Sequence, residues 1–190
     1  MESEVTKARI SLPQPPIGSP YGFTDADWEF IADQKDRSSE IMVVLGYQFE
    51  SEHRNSVLLK QNVEAMFQRA VERFNAMPTA ISTTLTFRAL EAGYGEHLFN
   101  EIARDIIAAD IAVFETSDLN PNVMLELGVA LTWGVRVLPI KRAGTQKPPS
   151  DISGQTWLDY NDNASTFADA EHDEKLVRMV ERAVRKKTRR

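Results

Sequence analysis

The sequence contains no cysteine among its 190 residues. That absence excludes a disulfide framework and zinc sites built on cysteine thiolates. It also fits a reducing compartment, so we predict a cytoplasmic protein. The three histidines, His53, His97 and His172, lie far apart along the chain. Because metal-binding histidines usually come in closely spaced sets, we predict no metal site and no bound cofactor.

Long apolar runs and an excess of positive charge are also missing. No run approaches the ~18 apolar residues that a membrane-spanning helix needs, and the stretch MESEVTKARISLPQPP lacks the apolar core of a secretory signal. We therefore predict no membrane partner. The net charge of −6 argues against nucleic-acid binding by the domain. We interpret the basic ending RKKTRR as a frayed, solvated tail.

What is present is an ordinary globular composition, 42% hydrophobic and 26% charged, in a length that favours one domain with an extension. We place the extension at residues 1–39. It comprises a proline-rich arm over 1–23, then a short helix that Thr24 caps and Trp28 holds to the body. Residues 40–190 form the main domain.

Apolar strands alternate with amphipathic helices over the main domain. Strands are predicted at 41–45, 80–87, 111–115, 135–140 and, as a short edge strand, 156–160; helices are predicted at about 56–75, at 98–110, from 121 and from about 170. This alternation predicts an α/β fold, a three-layer parallel sheet with helices on both faces. Ligands of such sheets bind beyond the carboxyl ends of the strands.

Several polar and aromatic residues follow predicted strand ends. Gly46 is expected either to let a ligand approach the backbone or to make a tight turn. Tyr47 and Phe49 are expected to stack on a base or a sugar, and the alternative is that they seal the sheet edge. Arg88, placed in a loop beside the expected cleft, is a candidate for holding a phosphate or an ordinary surface arginine.

Glu126 is the only ionisable residue between Asp118 and Arg136, and it stands in an otherwise apolar helix. Pro121 suits the first helical position and Asn120 the N-cap, while Asp118 either makes an Asx turn or points at a ligand. Asn122 lies four residues before Glu126, and Trp133, seven residues after it, is expected to pack in the core.

A carboxylate in a dry core costs several kcal/mol unless it finds a partner or binds a proton. Two interpretations of Glu126 therefore stay open. It either faces a ligand cleft as a reactive group, or it pairs with Arg88, Arg136 or a backbone N–H.

Three stretches together resemble one superfamily. NPNVMLELGVALTWGVRVLPI is similar to the signature of the nucleoside 2-deoxyribosyltransferase-like and TIR-like proteins, in which a polar loop precedes a helix carrying E-L-G-x-A. EIMVVLGYQFESEHRNSVLLKQNVEAMFQRA resembles their first strand, aromatic loop and first helix, and LFNEIARDIIAADIAVF resembles the helix that leads into the central strand. The resemblance covers about residues 40–141.

This resemblance implies a flavodoxin-like sheet that binds a nucleoside or nucleotide, NAD among the possible ligands, and acts at its N-glycosidic bond. By motif position, Glu126 would be the catalytic glutamate. Gly46, Tyr47, Phe49, Asp118, Asn120, Asn122 and Arg88 would surround the substrate. The resemblance also implies self-association into a homo-oligomer.

The chain departs from the transferases at two positions. Asn120 stands where they carry an aspartate that contacts the base, and Asp118 is the one candidate to replace it. Ile102, with Glu101 and Asp105 beside it, stands where they carry another aspartate. Over a working transferase, these departures favour two alternatives: a non-catalytic TIR-like module that binds or senses a nucleotide in bacterial defence or signalling, and a scaffold that oligomerises through this fold without chemistry. Glu126 itself favours the enzyme.

Overall fold

The computed structural model describes residues 22–48, 55–78, 80–91, 98–146, 157–161, 167 and 169–188. Within these residues the helices are α1 (Asp25–Asp36), α2 (Ser56–Asn75), α3 (Leu98–Ala108), α4 (Pro121–Thr132) and α5 (Ala170–Thr188). The strands are β1 (Glu40–Gly46), β2 (Thr84–Ala89), β3 (Ile111–Glu115), β4 (Arg136–Arg142) and β5 (Leu158–Tyr160).

The five described strands form one sheet in the order β2-β1-β3-β4-β5, and every neighbouring pair is parallel. The prediction of an α/β fold with a parallel sheet is confirmed, and the strand order is the flavodoxin-like one. The order reverses between β1 and β3, because the chain leaves β1 toward one edge and later returns to its other side. The carboxyl ends of β1 and β3 therefore flank the crevice where such sheets bind ligands.

Two apolar cores cover the two faces of the sheet. Alternate residues of β1 point to opposite faces: Ile41, Val43 and Leu45 join the core formed with α2 and α5. Met42 and Val44 join the core formed with α1, α3 and α4. The described part of the molecule is thus a three-layer sandwich.

The short helix ahead of the main domain packs on the α3/α4 face. Thr24 caps α1 in a reciprocal capping box with Asp27, as the sequence predicts for the cap. Trp28 then meets Phe23 edge-to-face at 5.1 Å and Trp133 at 5.8 Å between ring centroids. This contact corrects the prediction that Trp133 lies in the core, since 41% of its surface is exposed at the end of α4.

Over residues 185–188 the predicted fraying is wrong, and the predicted solvation is wrong for Lys187, whereas Arg185, Lys186 and Thr188 are exposed. Helix α5 continues through Thr188, and the Lys187 side chain is only 4% exposed. Its ammonium lies 2.8 Å from Asp110 Oδ2 and donates to the carbonyls of Gln34, Arg37 and Glu40. Burial of this charge is tolerated because the carboxylate and the carbonyls replace its water.

No helix within the described ranges combines the length and the apolar character that crossing a membrane requires.

Candidate active site at the carboxyl edge of the sheet

The end of β1 touches the middle of α4. A Cβ built on Gly46 would lie 2.7 Å from Glu126 Oε2 and 2.6 Å from Phe114 Cδ1. Both distances are far below ordinary van der Waals contact, so only glycine leaves room for these groups. Gly46 and Phe114 are also register partners in β1 and β3, so Glu126 sits at the point where the strand order reverses.

The glycine is therefore required for space. The sequence offered two reasons for Gly46, an approaching ligand or a tight turn. In the structure Gly46 is the last residue of β1, and the groups that approach it are the protein's own Glu126 carboxylate and Phe114 ring.

The Glu126 carboxylate has an unusual environment for an acid. Its Oε2 atom is buried and accepts no hydrogen bond in the described part of the chain. Burial raises the pKa of Glu126 from 4.5 to about 7, and within the described ranges no charge or donor opposes that effect. Near neutral pH the carboxyl group is thus divided between its neutral and ionised forms.

The two arginines proposed as alternative partners of Glu126 are engaged elsewhere. Arg88 lies 3.6 Å from Asp105 of α3, with its guanidinium 5.7 Å from the Phe30 ring centroid. Arg136 donates to the carbonyl of Arg182 at the opposite edge of the sheet. The interpretation in which either arginine neutralises Glu126 is therefore wrong.

Arg88 also differs from its predicted location. It belongs to β2, which continues to Ala89, and it pairs in register with Val44 of β1. The sequence predicts that the strand ends at residue 87, because a charged residue followed by a polar, glycine-bearing stretch is typical of a loop. Its guanidinium instead remains partly exposed at the sheet edge, where a strand can carry a charge.

The loop between β3 and α4 builds the start of the Glu126 helix. Asn120 is the N-cap, and its side-chain oxygen accepts from the backbone N–H groups of Asn122 and Val123. Pro121 occupies the first helical position, where its missing N–H leaves no bond unmade. Asp118 and Asn122 are exposed at this end of the helix. The predicted N-cap is confirmed. Because the side-chain oxygen of Asn120 accepts these two hydrogen bonds, it is already engaged within the protein.

Tyr47 lies on the other side of the sheet from Glu126. Its ring is buried in the core formed with α2 and α5, and its hydroxyl donates to Glu91 at 2.8 Å. Burial and the Glu91 hydrogen bond raise the pKa of Tyr47 to about 12. Lys60 of α2 donates to the same Glu91 oxygen at 2.6 Å. In this structure Tyr47 thus seals the sheet edge, which was the alternative to stacking on a ligand.

Phe49, the second aromatic residue proposed to contact substrate, lies outside the described residues. The structure brings Gly46 and Glu126 into contact and places Asn120, Asn122 and Asp118 at the start of the same helix. It directs Tyr47 and Arg88 into other contacts.

Two residues of this edge escaped the sequence reasoning. Phe114 forms the apolar wall beside Glu126. Glu115 is buried at the end of β3 and accepts hydrogen bonds from the Tyr160 hydroxyl and the Ser117 N–H. Their place at the end of the central strand was the available signal. That signal is ambiguous, because an apolar strand with a final acid is also typical of a strand that ends at solvent.

A cavity of about 310 Å³, open solvent included, lies at the opposite edge of the sheet. Its lining includes Lys35, Asp110, Arg136, Lys186 and Lys187. Three of the cations donate to carbonyls at or just beyond helix C-termini: Lys35 to Ala109, Lys186 to Gly134 and Lys187 to Gln34. These cations therefore complement helix dipoles, and Glu126 is not part of this cavity. Among the described residues, no group of three or more potential metal ligands occurs.

No known protein family model matches this chain, and no protein of curated function matches it either.

Proposed function

We propose that the chain binds a nucleoside or nucleotide at the carboxyl edge of the sheet and that Glu126 acts on its N-glycosidic bond. The observation that carries the proposal is the buried Glu126 Oε2 atom, which lies at the β1/β3 crevice without a hydrogen-bond donor from the described residues. A folded protein normally satisfies buried polar atoms. An exception at a ligand-binding edge is expected where a ligand supplies the missing interaction.

The carboxylate suits the chemistry of a breaking glycosidic bond. As the C1′–N bond breaks, its electron pair leaves with the base and positive charge develops on the sugar. An ionised Glu126 oxygen stabilises that charge or bonds to C1′. Water then attacks C1′ and releases the carboxylate again, while the water's proton passes to a base or to solvent.

The ELG motif and its preceding loop support the same assignment through their resemblance to nucleoside 2-deoxyribosyltransferase-like and TIR-like proteins. Within this proposal the ligand is a deoxynucleoside or NAD, and Asp118 and Asn122 orient the sugar. The absence of cysteine supports a cytoplasmic location.

A second candidate function is a binding module that holds a nucleotide without turning it over. Three observations favour it. The Asn120 side-chain oxygen is used to cap α4, Arg88 is paired with Asp105, and Ile102 packs against the core where the transferases carry a carboxylate.

The two functions separate in one experiment. The full chain is incubated with NAD or with deoxynucleosides, with and without an acceptor base, and the released base is measured by chromatography. Free nicotinamide supports hydrolysis, and base exchange that needs an acceptor supports transfer. No release, combined with a rise in melting temperature on adding ligand, supports the binding module.

Glu126→Gln is the test of the residue, and Glu64→Gln, at an exposed position of α2, is the matched control. We expect release to be lost in the first variant and retained in the second. Because the ionised form is required, release by the unchanged protein should decline as the pH falls through about 7. Full release by Glu126→Gln would remove Glu126 from the chemistry.

A further inference from the structure

The cavity at the amino edge of the sheet concentrates positive charge in an acidic protein. The chain as a whole carries a net charge of −6. The charged side chains that line this cavity of about 310 Å³ are nevertheless four cations and one acid: Lys35, Arg136, Lys186, Lys187 and Asp110. We call the cavity with these five side chains the basic cavity.

The single acid of the basic cavity is already engaged. Asp110 Oδ2 lies 2.8 Å from the ammonium of Lys187 and also accepts from the Met42 N–H at 2.9 Å. The described lining offers no second carboxylate to Lys35, Arg136 and Lys186. Asp110 and Lys187 therefore balance each other, and the charges of the other three cations remain to be balanced.

Helix ends supply part of that balance. Lys35 donates to the carbonyl of Ala109, just beyond α3, and Lys186 donates to the carbonyl of Gly134, just beyond α4. A helix C-terminus acts as about half of a negative charge, which is less than the charge of one lysine. The basic cavity thus stays positive after the helix dipoles are taken into account.

Arg136 is the least balanced of the cations. Its guanidinium donates to the carbonyl of Arg182 at 3.1 Å, while its buried Nε–H has no acceptor among the described residues. Burial and repulsion from Arg182 lower the pKa of Arg136, and no acid within the described ranges offsets them. Buried charges are normally paired and buried donors normally bonded. An arginine in this state is expected where a bound anion supplies the acceptors.

The kind of donor favours phosphate over other anions. A phosphate group carries about −1.5 to −2 charges near neutral pH and presents three strong acceptor oxygens. A guanidinium binds two such oxygens at once, and a lysine ammonium adds a compact charge. The volume of the basic cavity lies at the lower end of the range for ligand pockets, roughly 300–1,000 Å³. It suits a phosphate group with few attached atoms.

We propose that the basic cavity binds a phosphate group, either as inorganic phosphate or as the monoester of a small molecule, with Arg136 and Lys186 as its main contacts. The basic cavity and Glu126 lie at opposite edges of the sheet. The proposal therefore does not depend on the function assigned to Glu126.

The test is calorimetric titration of the full chain with sodium phosphate at constant ionic strength, so that screening is the same throughout. We expect saturable binding. Arg136→Gln and Lys186→Gln should each weaken it by roughly tenfold or more, because each removes a charged hydrogen-bond donor. Arg178→Gln is the matched control, since it makes the same change of charge at a side chain of α5 that is 71% exposed. It should leave binding unchanged.

A second titration distinguishes the two sources of phosphate. Glycerol 3-phosphate carries the group on a small organic molecule, and glycerol is its control without phosphate. Tighter binding of glycerol 3-phosphate than of inorganic phosphate indicates a small phosphate ester as the ligand. Equal binding of the two, with none of glycerol, indicates that the phosphate group alone is recognised.

Melting temperature separates a binding role of Arg136 from a structural one. A ligand that binds the folded state raises the melting temperature, so phosphate should stabilise the unchanged protein and Arg178→Gln. It should stabilise Arg136→Gln and Lys186→Gln much less. If Arg136 only holds the carbonyl of Arg182, Arg136→Gln melts at a lower temperature but keeps the full stabilisation by phosphate.

Three results would overturn the proposal. The first is the absence of saturable phosphate binding by the unchanged protein. The second is phosphate binding that both Arg136→Gln and Lys186→Gln leave intact. The third is a loss of binding in Arg178→Gln as large as in these two variants, which would mean that phosphate responds to net charge rather than to the basic cavity. Because Lys186 is exposed, Lys186→Gln keeps the test valid if Arg136→Gln does not fold.

Discussion

Asp110 and Glu126 are two carboxylates at opposite edges of one sheet, and the fold treats them differently. Asp110, at the amino edge, accepts from the Met42 N–H at 2.9 Å and pairs with Lys187 at 2.8 Å. Glu126, at the carboxyl edge, lies against Gly46 and Phe114 with a buried oxygen that no described residue binds. The first acid joins β1, β3 and α5 together, whereas the second is tolerated at a cost to stability.

This difference teaches how to distinguish a structural acid from a candidate functional one. Both side chains lie in partly or fully buried surroundings, so burial alone does not separate them. The presence of hydrogen-bond donors or a cation beside the carboxylate separates them. A buried carboxylate without such partners must be protonated or bound by a ligand.

The largest expected effect comes from breaking the satisfied pair. Lys187→Met leaves the Asp110 carboxylate buried without its cation, and we expect a loss of about 3–5 kcal/mol in the free energy of unfolding. Urea denaturation measures the loss. Lys186→Met is the control, because Lys186 is exposed and donates to one carbonyl at 3.2 Å. Equal losses in the two variants would mean that the Asp110–Lys187 pair has no special role.

Removing the Glu126 carboxylate is expected to stabilise the fold, opposite to the effect of Lys187→Met, and the size of this stabilisation depends on pH. The pKa of Glu126 is about 7 in the folded protein and near 4.5 when the side chain is in water. The folded state therefore binds more protons between these values, and stability falls as the pH rises from about 5 to about 8. The full difference corresponds to roughly 3 kcal/mol.

Glu126→Gln removes this titration. We expect the variant to gain stability relative to the unchanged protein as the pH rises from 5 to 8, measured by urea denaturation at both values. Glu64→Gln, whose side chain is exposed, should follow the pH dependence of the unchanged protein. If Glu126→Gln follows it as well, the ionised form of Glu126 is not disfavoured by burial.

A smaller effect concerns the fit between Gly46 and its neighbours. Gly46→Ala places a methyl group 2.6 Å from Phe114 Cδ1 and 2.7 Å from Glu126 Oε2. We expect a loss of about 1–3 kcal/mol as these groups move. Combining it with Glu126→Ala should reduce the penalty, because one of the two obstructing groups is then shorter.

Gly128→Ala is the matched control for that substitution. It adds a methyl group to a helical glycine with open space around it, so stability should rise by up to about 1 kcal/mol. A Gly46→Ala variant as stable as the unchanged protein would contradict the contact between β1 and α4.

Local signals explain which elements the sequence could predict. The bounds of α2 and β3 match their predictions, because amphipathic spacing and a continuous apolar run are written in neighbouring residues. The start of α4 matches too, since Asn120 and Pro121 act on the backbone beside them. The parallel sheet followed from the alternation of these elements.

Long-range pairing explains what the sequence could not predict. The sequence predicts a solvated Lys187, because its partner Asp110 lies 77 residues away along the chain and no local pattern indicates the pair. The prediction that Trp133 lies in the core is wrong for the same reason. Its exposure depends on how much of the ring α1 and Trp28 cover, and that contact is not written in neighbouring residues. The position of Glu126 in the sequence was conspicuous, but its contact with Gly46 required the folded sheet.

The buried environment of Glu126 is formed by two strands and one helix, β1, β3 and α4. It therefore exists only when these elements have come together in the fold. An unfolded chain at about pH 6 carries this side chain ionised, whereas the folded chain carries it largely protonated. Refolding at that pH therefore takes up a proton from the surrounding water. A weakly buffered solution containing a pH dye would turn slightly more alkaline as the native state forms.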